Sequence, residues 1–238
     1  MRLTILGNSG PYPAPGGACS GYLVESDSGN TRVILDLGTG SLSNLLRFMP
    51  VHAITGIVVS HLHFDHMSDL LPMHYALQFD PPSTPLRIYA PQQPESLSKL
   101  LKGPTTEVLP NDGCFNIGEM SISCALMRHP LPSSAIRIDC DGASLVYTGD
   151  TNTAPNLTTF CQNADILLAD AGLSEADYRE DAPHLSAALC GQLAKNAVAK
   201  RLLLTHLNPK YSPETLLQEA RAFFPNAEIA KLLEIYSV

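Results

Sequence analysis

The apolar residues of this chain fall in short runs, many of them β-branched, separated by turn signals and by stretches of helical periodicity. Runs of that length are strands. Strands that alternate with helices build an α/β sheet protein rather than a helical bundle. The pattern predicts strands over Leu3–Leu6, Gly21–Glu25, Arg32–Leu37, Gly56–Ser60, Leu86–Ala90, Met120–Met127, Ala135–Cys140, Ser144–Thr148, Ile166–Ala169, Arg201–Thr205 and Glu228–Tyr236. It predicts helices over Leu42–Phe48, Asp69–Gln78, Glu95–Lys102, Ala154–Gln162, Ser186–Ala199 and Pro213–Phe223. Ser68 reads as a cap for the second helix, with Pro72 near its first turn. Ser212-Pro213-Glu214 reads as the start of the last helix. Strands followed by mixed strand and helix occur twice, so two βα halves packed face to face are expected. The connectors Asp80–Pro85 and Gly103–Gly118 are neither long nor strongly charged, so they read as loops inside one domain covering residues 1–238.

Composition narrows the class. With 45% hydrophobic and 16% charged residues the chain is not disordered. It carries 15 Lys and Arg against 23 Asp and Glu, a net charge of −8 with no basic run, which disfavours long nucleic acid as a partner. No stretch approaches the roughly 18 apolar residues of a spanning helix. The apolar segment after Met1 is too short for a signal-peptide core, so a cytoplasmic protein with no membrane partner is expected. The six cysteines contain no C-x-x-C pair. They read as reduced, buried thiols and not as a zinc ribbon.

Histidine placement carries the chemistry. Three of the eight histidines fall in Ser60-His61-Leu62-His63-Phe64-Asp65-His66, directly after the apolar run Gly56–Ser60. Residues two apart at a strand end project to the same side, so His61 and His63 can converge on one ion. Asp65 and His66 leave the following turn in other directions and can reach a second. Three more ligand-type residues emerge from apolar runs: His129, Asp150 and His206. Imidazole and carboxylate suit Zn²⁺, Mn²⁺ or Fe. Of the other histidines, His52 lies outside this set, and His74 shares a helical face with Met67, Leu70 and Leu71 and reads as a packed core residue. The loop Gly7–Gly17 lacks G-x-x-x-x-G-K-[ST] and is no P-loop, though its backbone N–H groups could line a cleft. Ser20, Ser60 and Ser186 have no G-x-S-x-G setting.

These motifs resemble those of the metallo-β-lactamase-fold hydrolases over nearly the whole chain. Asp36 in Leu35-Asp36-Leu37-Gly38-Thr39-Gly40 matches the first motif of that superfamily, H-x-H-x-D-H the second, and His129, Asp150 and His206 the remaining three. The resemblance implies a four-layer αββα sandwich with two divalent ions, Zn²⁺ foremost, at one edge of its sheets. It places His61, His63 and His129 on one ion and Asp65, His66 and His206 on the other. Asp150 would bridge them, and Asp36 would stand behind the ligands and orient their loop.

Within the superfamily the stretch Ala182–Ser186, followed by a helix and Leu204–Tyr211, is similar to ribonuclease Z and related phosphodiesterases. His184 matches an extra histidine of that branch. Asp170 stands where a glutamate is usual, Tyr211 is retained and Lys210 replaces an arginine. The implied reaction is hydrolysis of a phosphodiester by water activated on the ions. Asp65, His184 and Asp170 would serve it directly, His184 contacting the phosphate or protonating the leaving alkoxide while Asp170 orients its ring. One departure matters: only 21 positions separate His129 from Asp150, which leaves no room for the basic tRNA-binding arm of ribonuclease Z. The acidic run Glu175–Asp181 would also repel a polyanion. A small or cyclic phosphodiester or short nucleotide is therefore the expected substrate, with an RNA 3′ end as the ribonuclease Z-like alternative. A homodimer is among the expected assemblies. The alternatives are hydrolysis of a thioester, lactone or lactam on the same fold, or a metal-binding protein without activity.

Overall fold

The computed structural model describes residues 1–238. Two seven-stranded sheets pack face to face. The first holds β1 (Arg2–Gly7), β2 (Gly21–Glu25), β3 (Arg32–Leu37), β4 (Gly56–Val58), β5 (Leu86–Ala90) and β6 (Thr106–Pro110) in that order. The second holds β7 (Gly113–Ile117), β8 (Met120–Met127), β9 (Ser133–Cys140), β10 (Ala143–Tyr147), β11 (Ile166–Asp170), β12 (Arg201–Thr205) and β13 (Ala227–Ile229), also in order. The last strand, β14 (Ile235–Ser237), returns to the first sheet beside β1. In each sheet antiparallel hairpins give way to parallel strands: at β3–β4 in the first and at β10–β11 in the second. Helices α1 (Ser41–Leu45), α2 (Phe64–Met67), α3 (Leu70–Phe79) and α4 (Glu95–Ser98) belong to the first half. Helices α5 (Leu157–Phe160), α6 (Ala187–Asn196) and α7 (Pro213–Arg221) belong to the second.

The alternation of side chains along each strand builds the layers. Val33 and Leu35 of β3 meet Ile166 and Leu168 of β11 in the core between the sheets. Ile34, between Val33 and Leu35, faces outward, and Leu37, beyond the left-handed Asp36, joins it under Leu42, Leu45, Met73 and Leu77 of α1 and α3. On the other side Leu167 and Ala169 face Cys190, Leu193 and Leu216 of α6 and α7. Burying an aliphatic side chain of this size contributes roughly 1.5–3 kcal/mol, and strands covered on both faces read as unbroken apolar runs for this reason. The arrangement is the expected αββα sandwich. No helix is long and apolar enough to cross a membrane.

Several local expectations are corrected. Gly103–Gly118 is not a plain connector: it contains β6 and β7, which close the two sheets at one edge. Their residues are largely half-buried or exposed, so the run lacks an apolar signature. Glu228–Tyr236 is not one strand but parts of β13 and β14 in different sheets, broken by a turn in which Leu233 has φ 64°. Ser212 does cap α7, its Oγ accepting from the Thr215 N–H at 3.3 Å. Ser68 does not cap α3, which follows Asp69. Its hydroxyl instead hydrogen-bonds Thr39 at 2.8 Å. His74 is half-buried rather than a core residue, and Cys114 is exposed while Cys19, Cys140, Cys161 and Cys190 are buried.

Candidate metal centre

Ligand-type residues collect where strand ends of both sheets meet. Beyond β4 the chain bends at Ser60 and passes through His61 and Leu62 to an extended His63 before α2 begins. Leu62 turns into the core under the first-half helices, while His61 and His63 on either side of it turn their rings to a common point. His61 Nε2 and His63 Nδ1 lie 2.9 Å apart, and His63 Nδ1 is 3.2 Å from His129 Nε2. Ligands bonded to one tetrahedral ion at about 2.0–2.1 Å sit about 3.3 Å apart along the tetrahedron's edge. Three ring nitrogens so spaced have the geometry of a shared cation, whereas three neutral lone pairs turned on one another would repel.

The second group is built the same way. His206 Nε2 is 3.1 Å from Asp65 Oδ2, and His66 Nε2 is 3.4 Å from the same oxygen. Asp150 lies between the groups. Its Oδ2 is 3.6 Å from His61 Nε2 and 3.3 Å from His206 Nε2, and its Oδ1 is 3.3 Å from His66 Nε2. The donor atoms of His61, His63, His129 and Asp150 all lie within 4.8 Å of one another, as do those of Asp65, His66, Asp150 and His206. His66 Nε2 and Asp150 Oδ1 are buried without a hydrogen-bond partner. Leaving such atoms unpaired costs roughly 1–3 kcal/mol each, and a cation between them satisfies both. The donor set therefore fits bound divalent metal.

Ring orientation comes from the residues behind these side chains. The Asp36 carboxylate accepts from the Ser60 N–H at 2.6 Å, the Ser60 hydroxyl at 2.7 Å, the Tyr147 hydroxyl at 2.8 Å and His66 Nδ1 at 2.7 Å. A proton held on Nδ1 leaves Nε2 free to bind metal. His129 Nδ1 donates likewise to the Pro183 carbonyl at 3.1 Å. Asp36 and His206 adopt left-handed backbone with φ 53°, strain that costs of order 1 kcal/mol for residues with a Cβ and collects at functional sites. The glycine-rich loop approaches from the first half. A Cβ on Gly10 would sit 2.0 Å from His206 Nε2, so only glycine fits there.

His184 and Asp170 join this cluster. His184 Nδ1 is 2.9 Å from Asp170 Oδ2 and 3.7 Å from Asp150 Oδ2. Asp170 is fixed by N–H donors from Thr151 at 3.1 Å and Gly172 at 2.9 Å. The acidic run near it is only partly a free surface: Asp177 accepts from Lys210 Nζ and from the Tyr211 hydroxyl, both at 2.7 Å. The span between His129 and Asp150 is taken up by β9, β10 and the turn joining them. Residues that sequence patterns missed are Tyr147, Ser60 and the Pro183 carbonyl, each acting through a contact distant in the chain that no local pattern marks. Gly10 belongs to the glycine-rich loop expected to line a cleft, but it does so by close approach to His206, its N–H being taken by the Leu207 carbonyl at 3.2 Å.

The two groups differ electrostatically. Burial holds His61, His63 and His129 below the usual histidine range. Burial also opposes charge on His66, but the carboxylates of Asp150 and Asp36 outweigh it and push that ring well above the range. His206 is raised to about 10 against the same burial by Asp150, Asp170 and Asp65. Asp150, although buried, is held far below the usual carboxylate range by His206 and His66. Burial opposes charge on His184 too, and Asp170 raises it nonetheless. The carboxylates of the second group seek positive charge, and a divalent ion competes there with protons.

Residues 31–207, from before Asp36 to just past His206, match the profile of the beta-lactamase superfamily domain. The chain belongs to this superfamily and is a metallo-hydrolase of the metallo-β-lactamase fold. Among individual proteins it is 33% identical to an uncharacterized protein of Mycobacterium leprae, over 94% of this chain and 84% of that one. It is 30% identical to the "Probable metallo-hydrolase YhfI" of Bacillus subtilis, over 96% of each. The crystal structure of YhfI superposes with a TM-score of 0.93 over 99% of this chain and 98% of that one. Human tRNase Z, short form, shares the fold with a TM-score of 0.79 at 20% identity, over 100% of this chain and 99% of that one.

Proposed function

We propose that the cluster is a two-ion centre that hydrolyses a small phosphodiester, with His61, His63 and His129 on one ion, Asp65, His66 and His206 on the other, and Asp150 on both. Zn²⁺ suits the donors best, with Mn²⁺ or Fe as alternatives. When bound, the ions supply an activated water and neutralise phosphate oxygens. The observation that carries the reading is His184, held 2.9 Å from Asp170 and 3.7 Å from Asp150. An imidazolium in that place can donate a proton to a leaving alkoxide. Asp170 raises its proton affinity against the opposing effect of burial.

The cleft sets the size of the substrate. It holds about 410 Å³, near the lower end of ligand sites, and its rim includes Pro11, Phe64, Pro130 and Pro183. Its charged lining is confined to the proposed ligands and His184, and the nearby Lys210 is tied to Asp177. Such a cleft can neutralise one phosphodiester while its apolar rim meets the substituents. A long RNA would meet the net charge of −8. Four buried, unpaired thiols suit a cytoplasmic location.

The test is a panel assayed with metal-loaded protein: bis-p-nitrophenyl phosphate, cyclic nucleotides, S-lactoylglutathione and nitrocefin. Turnover of the phosphodiesters alone is expected. Turnover of the thioester or the lactam without any phosphodiester activity would reverse the assignment.

A further inference from the structure

Two tyrosines occupy the core between the sheets immediately behind the metal edge. Tyr22 of β2 and Tyr147 of β10 are both fully buried, and their rings meet at 4.9 Å with planes inclined by 59°. Each hydroxyl crosses to the opposite sheet. Tyr22, from the first sheet, shares a 2.7 Å hydrogen bond with the Thr205 hydroxyl at the end of β12 in the second. Tyr147, from the second sheet, donates at 2.8 Å to Asp36 Oδ2 at the end of β3 in the first. The exchange is reciprocal, and both partners adjoin proposed ligands. Thr205 directly precedes His206. Asp36 Oδ2 is the same oxygen that accepts from His66 Nδ1 at 2.7 Å.

We infer that Tyr22 and Tyr147 form a clasp that fixes the two sheets against each other at the metal edge and positions the ligands of the second ion; this rests on the two-ion reading above. The second group needs such a device because it is assembled across the interface. Asp65 and His66 come from the first half, Asp150 and His206 from the second, and their donor atoms must stay 3.1–3.4 Å apart. The first group also joins the two halves, His61 and His63 meeting His129 and Asp150, but the clasp reaches it only at one further remove, through Asp36, the Ser60 hydroxyl and His61 Nδ1 at 3.1 Å. A core tyrosine needs some partner for its hydroxyl, but that need does not explain two hydroxyls exchanged between sheets, each ending beside a ligand of the same ion. Tyr22 and Tyr147 are thus positioning residues, acting through Thr205 and Asp36.

The experiment is metal titration of chelator-stripped protein with Zn²⁺ against a chromophoric chelator, repeated with Co²⁺ so that ligand-field spectra report on each ion's coordination. Tyr147→Phe is expected to weaken one of the two ions by about tenfold, the size of effect seen when a partner behind a metal ligand is removed, and to leave the other within about twofold. Tyr22→Phe should weaken the same ion less, by about threefold, since it acts through the neighbour of His206. Thr205→Val removes the other end of that bond and should reproduce the Tyr22→Phe result. Equal weakening of both ions would overturn the clasp, because that is what general loosening of the core produces. Unchanged affinities in all three variants would overturn it as well. If the parent protein binds fewer than two ions, the two-ion reading itself fails, whatever the variants do.

Discussion

The two sheets share a strand plan yet equip the site differently. In the first half His61, His63, Asp65 and His66 are concentrated in the short stretch that leaves β4 and runs into α2. In the second, His129, Asp150, Asp170 and His206 are spread over the ends of β8, β10, β11 and β12. Neighbouring strands lie about 4.8 Å apart. The adjacent β10, β11 and β12 therefore deliver Asp150, Asp170 and His206 as a row of side chains at one edge. The first half works as a compact cassette and the second as a frame. A cassette can be read from local spacing, while a frame becomes a site only when its strands are laid side by side.

Substitutions can break that contrast. The largest effect is expected from Asp150→Ala, which removes from the frame the one carboxylate that reaches both groups. Metal analysis should show both ions lost, and turnover should fall by about 10³ or more, the equivalent of roughly 4 kcal/mol. Full metal content in that variant would refute the bridging role. His63→Ala, in the cassette, should release one ion and keep the other. Loss of both would mean that the groups are not separable. His184→Ala should leave the metal content unchanged and lower phosphodiester turnover by about 10²–10⁴. Parent-like turnover would remove His184 from the reaction.

The smallest effect concerns pH. A group that donates a proton is active while protonated, so the rate falls as pH rises through its pKa. Asp170 raises that of His184 against burial. Asp170→Asn should therefore move the basic limb of the rate profile to lower pH, towards about 6.5. A limb that stays in place would show that Asp170 does not tune His184.

Legibility followed the range of the interactions. The apolar run of β3 and the cap at Ser212 depend on near neighbours and are plain in the chain. The strands β6 and β7 are half-exposed edges, so their residues lack the apolar signature by which strands are recognised. The division of Glu228–Tyr236 between two sheets depends on which partners wait on either side, and spacing says nothing of that. The ligand-type residues could be nominated one by one from apolar runs ending in His or Asp. Their convergence within 4.8 Å is a property of the packed sandwich.

From its own order of residues the chain determined an α/β architecture, the dense histidine turn and the residue types able to hold metal, because each of these reflects periodicity or chemistry within a few positions. Tertiary structure alone decided that Tyr147 supports Asp36, that Gly10 lies against His206 and that Tyr22 meets Thr205 across 183 positions of sequence. Contacts of that range arise only when two sheets bury a common core. The energy that places them comes from the whole apolar interface and not from the residues that meet.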